Sequence, residues 1–539
     1  MQRVSLLSPP LFVTVLTIGL VIAAHAPSAA AVSTRLLTDP QGENDGDIFG
    51  CSVASAGDVN ADGYDDVVIG ANFYPAESGE GRAYVFFGGP VMHVVADLVI
   101  PSPSSTTRWF GISVAGAGDF NGDGYSDFIV GARYAGPGKA FIYYGGPSLD
   151  ATPDLTLTGE QPTSGSWFGN SVAPIGDVNG DGFDDVIVGA PAYGSAPSAV
   201  GRAYVFYGGN VPDALPDRVF TGINAGDRLG WAVGSAGDMN GDGHPDVFAT
   251  APRYYASGTD PGSAYVWFGG PGFDTVADLT IHGSVLADRV TSAANAGDVD
   301  VDGFSDLVIT RQGRAEVYFG GSSPNAIPDL TITGGFGSAA GGDMNGDGVD
   351  DIVLGASVDN TGGTDAGRVS IYFGGGAVDA IEDVHFVGDG PNRRFGRGVA
   401  TARRVDGPGP ADLIVAAAQL DPEELGYDTG RVYVYANSFE TTAVPLTVVS
   451  GLEFANLTPN PASADVSLTL TLDHSVAVRI TVYDVAGHEV ARPVADEWLV
   501  GRVTRTWQPR GLPSGIYYVS ARLGDRQQVR KLVWLGPRP

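Results

Sequence analysis

A ten-residue acidic segment recurs six times in the chain, and it limits the possible folds more than any other feature. Each copy begins with Gly-Asp, carries Asp-Gly near its middle and ends with Asp, as in GDVNGDGFDD. An apolar run such as VIV follows each copy directly, which is typical of a turn that leads into a buried strand. A repeat this regular predicts an architecture of similar units. The copies occupy residues 57–66, 118–127, 176–185, 237–246, 297–306 and 342–351.

Each acidic segment lies inside a longer repeated unit of about 60 residues. A Phe-Gly pair and a small-residue segment precede it, an apolar segment ending in Gly-Ala follows it, and two more segments complete the unit. These segments are short, rich in Val, Ile, Tyr and Phe, and bounded by Gly, Asp and Pro, which is typical of strands. Four strands per unit predict a β-propeller blade. First strands begin near residues 49, 110, 168, 229, 289, 336 and 395, which predicts seven blades.

The fourth strand of the last unit is absent from its expected place. Six copies, such as DLTLTG at 154–159, lie between units, but none follows GRVYVYA at 430–436. A matching segment, STRLLTD at 33–39, precedes the first unit. We therefore predict that the N-terminal strand completes the last blade and closes the ring, which leaves no unpaired strand edge at the seam.

Oxygen-bearing side chains occupy positions 1, 3, 5 and 9 of each acidic loop, counted from its first Asp. Position 6 is Gly, which permits a tight turn, and position 7 offers only its backbone carbonyl. Hard oxygen donors at alternate positions suit calcium, whereas softer metals need Cys or His. Position 12 is apolar, so the Glu that closes an EF-hand is absent and the ninth-position Asp closes the site. The alternative is a set of Asx-rich turns without metal.

We predict about six Ca²⁺ ions, one in each loop of blades 1–6. The position-7 residues would ligate through the backbone carbonyl alone, so the imidazole of His244 is not predicted to bind metal. The predicted ligands are Asp58, Asn60, Asp62, Tyr64 and Asp66; Asp119, Asn121, Asp123, Tyr125 and Asp127; Asp177, Asn179, Asp181, Phe183 and Asp185; Asp238, Asn240, Asp242, His244 and Asp246; Asp298, Asp300, Asp302, Phe304 and Asp306; Asp343, Asn345, Asp347, Val349 and Asp351.

The seventh unit departs from the acidic pattern. Its residues at positions 1, 3, 5 and 9 are Arg404, Asp406, Pro408 and Asp412, so two ligands are missing and a cation replaces one of them. We predict no calcium in this blade.

The N-terminal segment and the overall charge bear on location. Residues 1–31 contain Arg3, an apolar run and a final Ala-Ala-Ala, which predicts a secretory signal peptide cut after Ala31; an uncleaved anchor is the alternative. No later segment is a predicted membrane span. The net charge of −32 argues against a nucleic-acid partner and fits cation binding. The single cysteine, Cys51, allows no internal disulfide and is predicted to be a packing residue.

The order of Phe-Gly, acidic loop and Gly-Ala, with Pro191 completing one Gly-Ala-Pro, resembles the FG-GAP repeat of integrin α chains and of many exported bacterial proteins. The resemblance covers residues 33–440. It implies a seven-bladed propeller with calcium in the loops between first and second strands, and ligand binding on the opposite face, as in integrins. The loops that would then line the binding face are 72–80, 133–137, 191–200, 252–261, 357–366 and 418–429.

The C-terminal part, residues 453–539, follows a predicted linker at 441–452 and has a different pattern. Strict alternation in VSLTLTL at 466–472 predicts a half-buried strand. Further strands are predicted at 478–487, 515–525 and 529–535, which together favour a small β-sandwich. The segments LTPNPAS, VYDVAGHEV, GLPSGIYYV and RKLVWL resemble the C-terminal sorting domain of type IX secretion cargo, which implies an Ig-like fold. The alternative is a plain Ig-like spacer.

The sequence therefore predicts an all-β chain: a seven-bladed β-propeller followed by a small Ig-like β-sandwich. We expect a secreted or cell-surface bacterial protein, monomeric, that recognises or adheres to an extracellular protein or glycan. A propeller enzyme acting on polysaccharide or phosphodiester, or a purely structural envelope protein, is the alternative. Nucleophile, zinc-protease and phosphate-loop motifs are absent from the sequence. The loop carboxylates Asp260, Glu423 and Glu424 are candidate catalytic acids, although solvated surface charge is the ordinary interpretation.

Overall fold

In the computed structural model, the regular secondary structure of the described residues is almost entirely β-strand. It contains one short 3₁₀ turn, Gly270–Gly272, and no α-helix among the described residues. None of the elements it describes is a helix with the length and apolarity needed to cross a bilayer. The described residues are 33–75, 78–160, 165–194, 199–252, 262–283, 289–376, 378–418, 429–438, 453–454, 457, 462, 465–483, 489–509, 512–523 and 526–536.

Seven four-stranded antiparallel sheets follow one another along the chain, and each forms one blade. The strands are β1 Ser33–Thr38; in blade 1, β2 Phe49–Gly57, β3 Asp66–Ala71, β4 Arg82–Phe86 and β5 Leu98–Pro101; in blade 2, β6 Phe110–Gly118, β7 Asp127–Ala132, β8 Lys139–Tyr143 and β9 Leu155–Thr158; in blade 3, β10 Ser171–Gly176, β11 Asp185–Ala190, β12 Arg202–Phe206 and β13 Arg218–Thr221; in blade 4, β14 Val233–Gly237, β15 Asp246–Ala251, β16 Ser263–Trp267 and β17 Leu279–His282; in blade 5, β18 Val290–Gly297, β19 Asp306–Arg311, β20 Arg314–Tyr318 and β21 Leu330–Thr333; in blade 6, β22 Ser338–Gly342, β23 Asp351–Ala356, β24 Arg368–Tyr372 and β25 Val384–Val387; in blade 7, β26 Phe395–Ala402, β27 Asp412–Ala417 and β28 Arg431–Ser438.

The blades form a closed ring. The first strand of each blade contacts the first strand of the next, in the order β2, β6, β10, β14, β18, β22 and β26, and β26 contacts β2 again. Strand β1 pairs antiparallel with β28 and supplies the fourth strand of blade 7. The predicted seven-bladed propeller, closed by its N-terminal strand, is confirmed.

The hydrophobic core lies between blades. One cluster joins Val68 of blade 1 to Phe128 and Tyr143 of blade 2, and corresponding clusters fill each of the other interfaces. The second strand of every blade is buried along its whole length. A single sheet cannot bury both of its faces, so each blade depends on its two neighbours for a core.

The glycines of the Phe-Gly and Gly-Ala pairs meet across the same interfaces. A Cβ on Gly131 of blade 2 would lie 2.1 Å from the carbonyl oxygen of Gly169 in blade 3. Gly70 faces Gly111 and Gly189 faces Gly230 in the same way, at 2.0 and 2.1 Å. The repeat therefore requires glycine at these positions because two backbones touch there.

The C-terminal strands are β29 Glu453–Phe454, β30 Val466–Tyr483, β31 Glu489–Trp507, β32 Gly515–Leu523 and β33 Arg526–Trp534. They form one five-stranded sheet in which β30 pairs with both β31 and β32. The alternation predicted from Val466 is present, since Val466, Leu468 and Leu470 are fully buried. The Ig-like arrangement is not confirmed, because the described strands belong to a single sheet.

Two details of this domain differ from the prediction. The strand predicted at 466–472 and the described part, 478–483, of the strand predicted at 478–487 belong to the single long strand β30, and β31 was not predicted. Pro493 and several charged residues made β31 unrecognisable as a strand in the sequence, because proline is unusual inside a paired strand. The pairing of β30 with β31 is irregular beside Pro493, between Ile480, which faces Val494, and Val482, which faces Ala491.

Candidate metal centres

The six acidic loops lie at one end of the propeller. Each joins the first strand of a blade to the second, and strands alternate in direction. Loops between second and third strands therefore lie at the other end. The separation between acidic loops and variable loops, which the resemblance implied, follows from this topology. Parts of the variable loops, including Asp260, Glu423 and Glu424, lie outside the described residues.

The ninth-position aspartate of each loop is completely buried at the start of the second strand. In blade 3, Oδ2 of Asp185 accepts the N–H of Val178 at 3.0 Å, and Oδ1 accepts the N–H of Gly208 at 2.9 Å. The carboxylate thus joins the start of its own loop to the end of the third strand. The same pair of bonds is made by Asp66, Asp127, Asp246, Asp306 and Asp351.

Burial, the largest cause, and the nearby Asp181 and Asp177 together raise the pKa of Asp185 to about 7. The equivalent carboxyls in the other five loops also have a pKa of about 7, with burial as the largest cause. A buried carboxylate beside other acids is stabilised by a proton or by a cation. A cation among these oxygens would lower the pKa again.

Positions 1, 3 and 5 wind the loop around its own side-chain oxygens. In blade 3, Asp177 Oδ2 accepts the N–H of Gly182 at 2.7 Å, and Asn179 Oδ1 accepts the N–H of Asp181 at 2.8 Å. Asp181 Oδ1 accepts the N–H of Phe183 at 3.1 Å. These three bonds recur in all six loops. The remaining oxygen lone pairs form the oxygen-only donor set that suits calcium.

The loop of blade 5 has four aspartates at the predicted ligand positions, against three in each other loop, since its third position is Asp300 rather than Asn. Carboxylate oxygens of Asp298, Asp300 and Asp306 all lie within 4.8 Å of one another. Burial raises the pKa of Asp300, and Asp302 and Asp298 raise it further. Three carboxylates this close repel one another unless a proton or cation lies among them.

The position-7 side chain has a role that the sequence did not indicate. A Cβ on Gly122 of loop 2 would lie 2.2 Å from the ring of Phe183 in loop 3, and one on Gly180 would lie 2.7 Å from the ring of His244. The ring of Phe304 lies 2.3 Å from the place of a Cβ on Gly241 in the same way, so these position-7 rings pack on the loop of the preceding blade. His244 is a packing residue of this kind, consistent with its predicted use of the backbone carbonyl alone.

Backbone hydrogen bonds connect the acidic loops around the ring. The carbonyl of Val178 in loop 3 accepts the N–H of Gly270 in blade 4 at 2.8 Å. Corresponding bonds join Val59 to Gly146, Phe120 to Gly209, Met239 to Gly321, Val299 to Gly375 and Val405 to Gly89. A cation that orders one loop therefore also stabilises the contact with the next blade.

The loop of blade 7 shows that the ninth-position aspartate has a structural role even in a loop that lacks the predicted calcium-binding pattern. Asp412 is buried and accepts the N–H of Val405 at 2.7 Å and that of Asn437 at 3.0 Å. Burial raises its pKa to about 6. Asp406 accepts a hydrogen bond from Arg35 of β1 at 3.0 Å. The ninth-position carboxylate thus holds the hairpin even where two predicted calcium ligands are missing.

Replacing Asp412 with alanine is expected to lower the free energy of unfolding by about 3 kcal/mol, because two buried N–H groups lose their acceptor. The loss should be equal in calcium and in EGTA. Asp351→Ala, the matched change in blade 6, should lower the free energy of unfolding by more in calcium than in EGTA. Thermal unfolding of both variants in the two buffers measures the difference, and a calcium-dependent loss for Asp412→Ala would contradict the assignment.

Cys51 is half-buried in β2, and its thiol donates a hydrogen bond to the carbonyl of Gly111 in blade 2 at 3.1 Å. The contact is consistent with the predicted packing role.

Comparison with known proteins agrees with this architecture. The FG-GAP repeat family matches residues 49–86, 110–146, 168–206, 229–267 and 335–372, which are parts of blades 1, 2, 3, 4 and 6. The description "secretion system C-terminal sorting domain" matches residues 456–534. Blades 5 and 7 lie outside the matched ranges, although each is a four-stranded antiparallel sheet like the others.

Curated relatives include integrin α chains. The chain is 34% identical over 242 residues to integrin alpha-5 of Xenopus laevis, which is 42% of this chain and 22% of that protein. It is 37% identical over 158 residues to integrin alpha-PS3 of Drosophila melanogaster, covering 28% and 14% of the two chains. It is 37% identical over 174 residues to integrin alpha-IIb of Mus musculus, covering 30% and 16%. The chain thus spans about a fifth of these relatives or less.

Proposed function

From the five FG-GAP repeats and the secretion sorting domain that this chain carries, we propose that it is a calcium-binding propeller that acts as an extracellular recognition or adhesion module. The observation that carries the calcium assignment is the hydrogen-bond pattern repeated in six loops, which winds each loop around its side-chain oxygens at positions 1, 3 and 5. The alternatives, an enzyme or a structural envelope protein, gain no specific support from the described residues.

The C-terminal sorting domain indicates export, to the cell surface or to the medium. The signal peptide predicted at residues 1–31 lies outside the described residues. An extracellular location supplies the millimolar calcium that oxygen-ligand sites of moderate affinity need.

Calcium would be held by the carboxylates at positions 1, 5 and 9, the side chain at position 3 and the carbonyl at position 7 of loops 1–6. Its chemistry there is charge neutralisation and cross-linking of the hairpin. Because the loops are joined blade to blade by backbone hydrogen bonds, we infer that the ions stiffen the ring as a whole. A stiff ring holds the loops at its other end in place, where variable loops on a scaffold commonly bind ligands.

The ligand is an extracellular protein or glycan that contacts the end of the propeller with the variable loops. An array of glycans and surface proteins, probed with the purified full chain in calcium and in EGTA, tests this. Binding without turnover, weakened by EGTA, is the expected result. Release of a product from an array component would instead support an enzyme, and an absence of any binding would contradict a recognition role.

The number of bound ions tests the site assignment directly. Calorimetric titration should find about six Ca²⁺ per chain, and Asp181→Asn in blade 3 should reduce the number to five, because a neutral amide is a weaker calcium ligand than a carboxylate. Asp406→Asn in blade 7 is the matched control and should leave six. A titration that finds no calcium bound, or equal numbers for the two variants, would contradict the assignment.

A further inference from the structure

An arginine of blade 2 is surrounded by aromatic rings at the end of the propeller opposite the acidic loops. Arg133 directly follows β7, and its guanidinium carbon lies 4.1 Å from the ring centre of Trp109 and 4.8 Å from that of Trp167. The ring of Tyr134 is 5.2 Å away. Asn170 Oδ1 accepts a hydrogen bond from Arg133 Nη1 at 2.7 Å. We call these five residues the Arg133 cluster.

Two blades build the cluster. Trp109 and Tyr134 belong to blade 2 and their rings meet edge to face at 4.9 Å, whereas Trp167 and Asn170 precede the first strand of blade 3. All five side chains are half-buried. The guanidinium is therefore held in one orientation by contacts from both blades, and it borders solvent.

Among the described residues, Arg133 faces aromatic rings and an amide rather than a carboxylate. Two arginines at this end do face a carboxylate: Arg82 pairs with Glu43 and Arg202 with Glu160. No ion pair to Arg133 occurs among the described residues, and its Nε is buried without an acceptor. Burial lowers the pKa of Arg133, and the opposing contribution comes from Tyr134 rather than from a carboxylate. A partly buried cation with no carboxylate beside it is costly without an anion.

We propose that the Arg133 cluster is a subsite for an acidic saccharide. The carboxylate of a uronic acid pairs with the planar guanidinium, for which bidentate recognition of carboxylates is characteristic. The apolar C–H face of the sugar lies against the partly exposed aromatic rings. An acidic peptide would satisfy the cation but leave the rings unused, so the combination favours a sugar. This inference rests on the proposed function and names its ligand class.

Titration calorimetry of the full chain in calcium, with tetragalacturonate as the probe, tests the subsite. Arg133→Ala is expected to weaken binding at least tenfold, and Arg133→Lys, which keeps the charge but loses the planar fork, to weaken it by a smaller factor. Arg393→Ala removes the same charge from an exposed arginine that pairs with Asp389, and should leave affinity within twofold. Maltotetraose, which is neutral, should not bind measurably.

Three results would overturn the proposal: no binding of tetragalacturonate to the unaltered chain, equal affinity in Arg133→Ala, or equally tight binding of hexaglutamate. Melting temperatures of the variants confirm folding, and if Arg133→Ala is unfolded, Arg133→Lys decides, with equal affinity counting against the subsite. Array binding that survives Arg133→Ala would remove this subsite while leaving the recognition function intact, so the two failures are distinguishable.

Discussion

Excess EGTA is expected to lower the melting temperature of this protein, relative to millimolar calcium, by on the order of 10 °C. Each ion bound only by the folded chain adds stability by mass action, about 2.7 kcal/mol when calcium is a hundredfold above its dissociation constant. Six loops would contribute together because backbone hydrogen bonds join neighbouring loops. The large effect also reflects the repulsion that is relieved when 19 ligand-position aspartates are neutralised.

Calorimetric melting of the full chain in the two buffers measures this shift. Readdition of calcium should restore the original melting temperature, whereas magnesium at the same concentration should restore less, because its smaller ion demands a stricter octahedral geometry. Identical melting curves in calcium and EGTA would show that the loops are metal-free Asx turns, the alternative interpretation of the sequence.

Alanine in place of Gly131 is expected to destabilise the propeller by about 3 kcal/mol, which is the upper part of the range for overpacked interiors. The added Cβ would lie 2.1 Å from the carbonyl oxygen of Gly169, so the backbones of blades 2 and 3 must separate. The φ angle of Gly131 is not in the left-handed region, so the cost is steric and does not come from an unfavourable backbone conformation. Denaturant unfolding measures the change in free energy.

Gly335→Ala is the matched control, because no atom lies within 4 Å of the Cβ it would add and its backbone is compatible with alanine. It should change stability by less than about 0.5 kcal/mol, as for an exposed surface substitution. Gly189→Ala, which repeats the clash between blades 3 and 4, should resemble Gly131→Ala. Equal stability of Gly131→Ala and Gly335→Ala would show that the blades are not in the close contact described.

Most of the propeller follows from patterns local in the sequence. A strand such as β11 is indicated by the apolar run that follows an acidic turn. The turn itself is indicated by Gly182 within a series of aspartates. The role of β1 followed from counting fourth strands. β31 was missed, because Pro493 and the charged residues around it hide the alternation on which strand prediction depends.

The sequence predicted the oxygen donors of the candidate site, but it did not predict how the buried aspartate holds the hairpin together. The spacing of Asp177, Asn179, Asp181 and Asp185 identified an oxygen-only loop. Spacing could not show that Asp185 also joins its loop to Gly208 at the end of the third strand. Comparison with Asp412, which keeps this bond in a loop without the calcium pattern, revealed the structural role.

The sequence by itself determined the four-strand unit, the number of blades, the order of the ring and the oxygen-bearing loop positions predicted to bind calcium, because each is read from a pattern repeated along the chain. Only the tertiary structure decided what crosses from blade to blade: the glycine contact of Gly131 with Gly169, the packing of His244 on Gly180, and the enclosure of Arg133 by rings of two blades. The physical reason is that these partners are tens of residues apart and meet only when the ring closes, so no local periodicity records them.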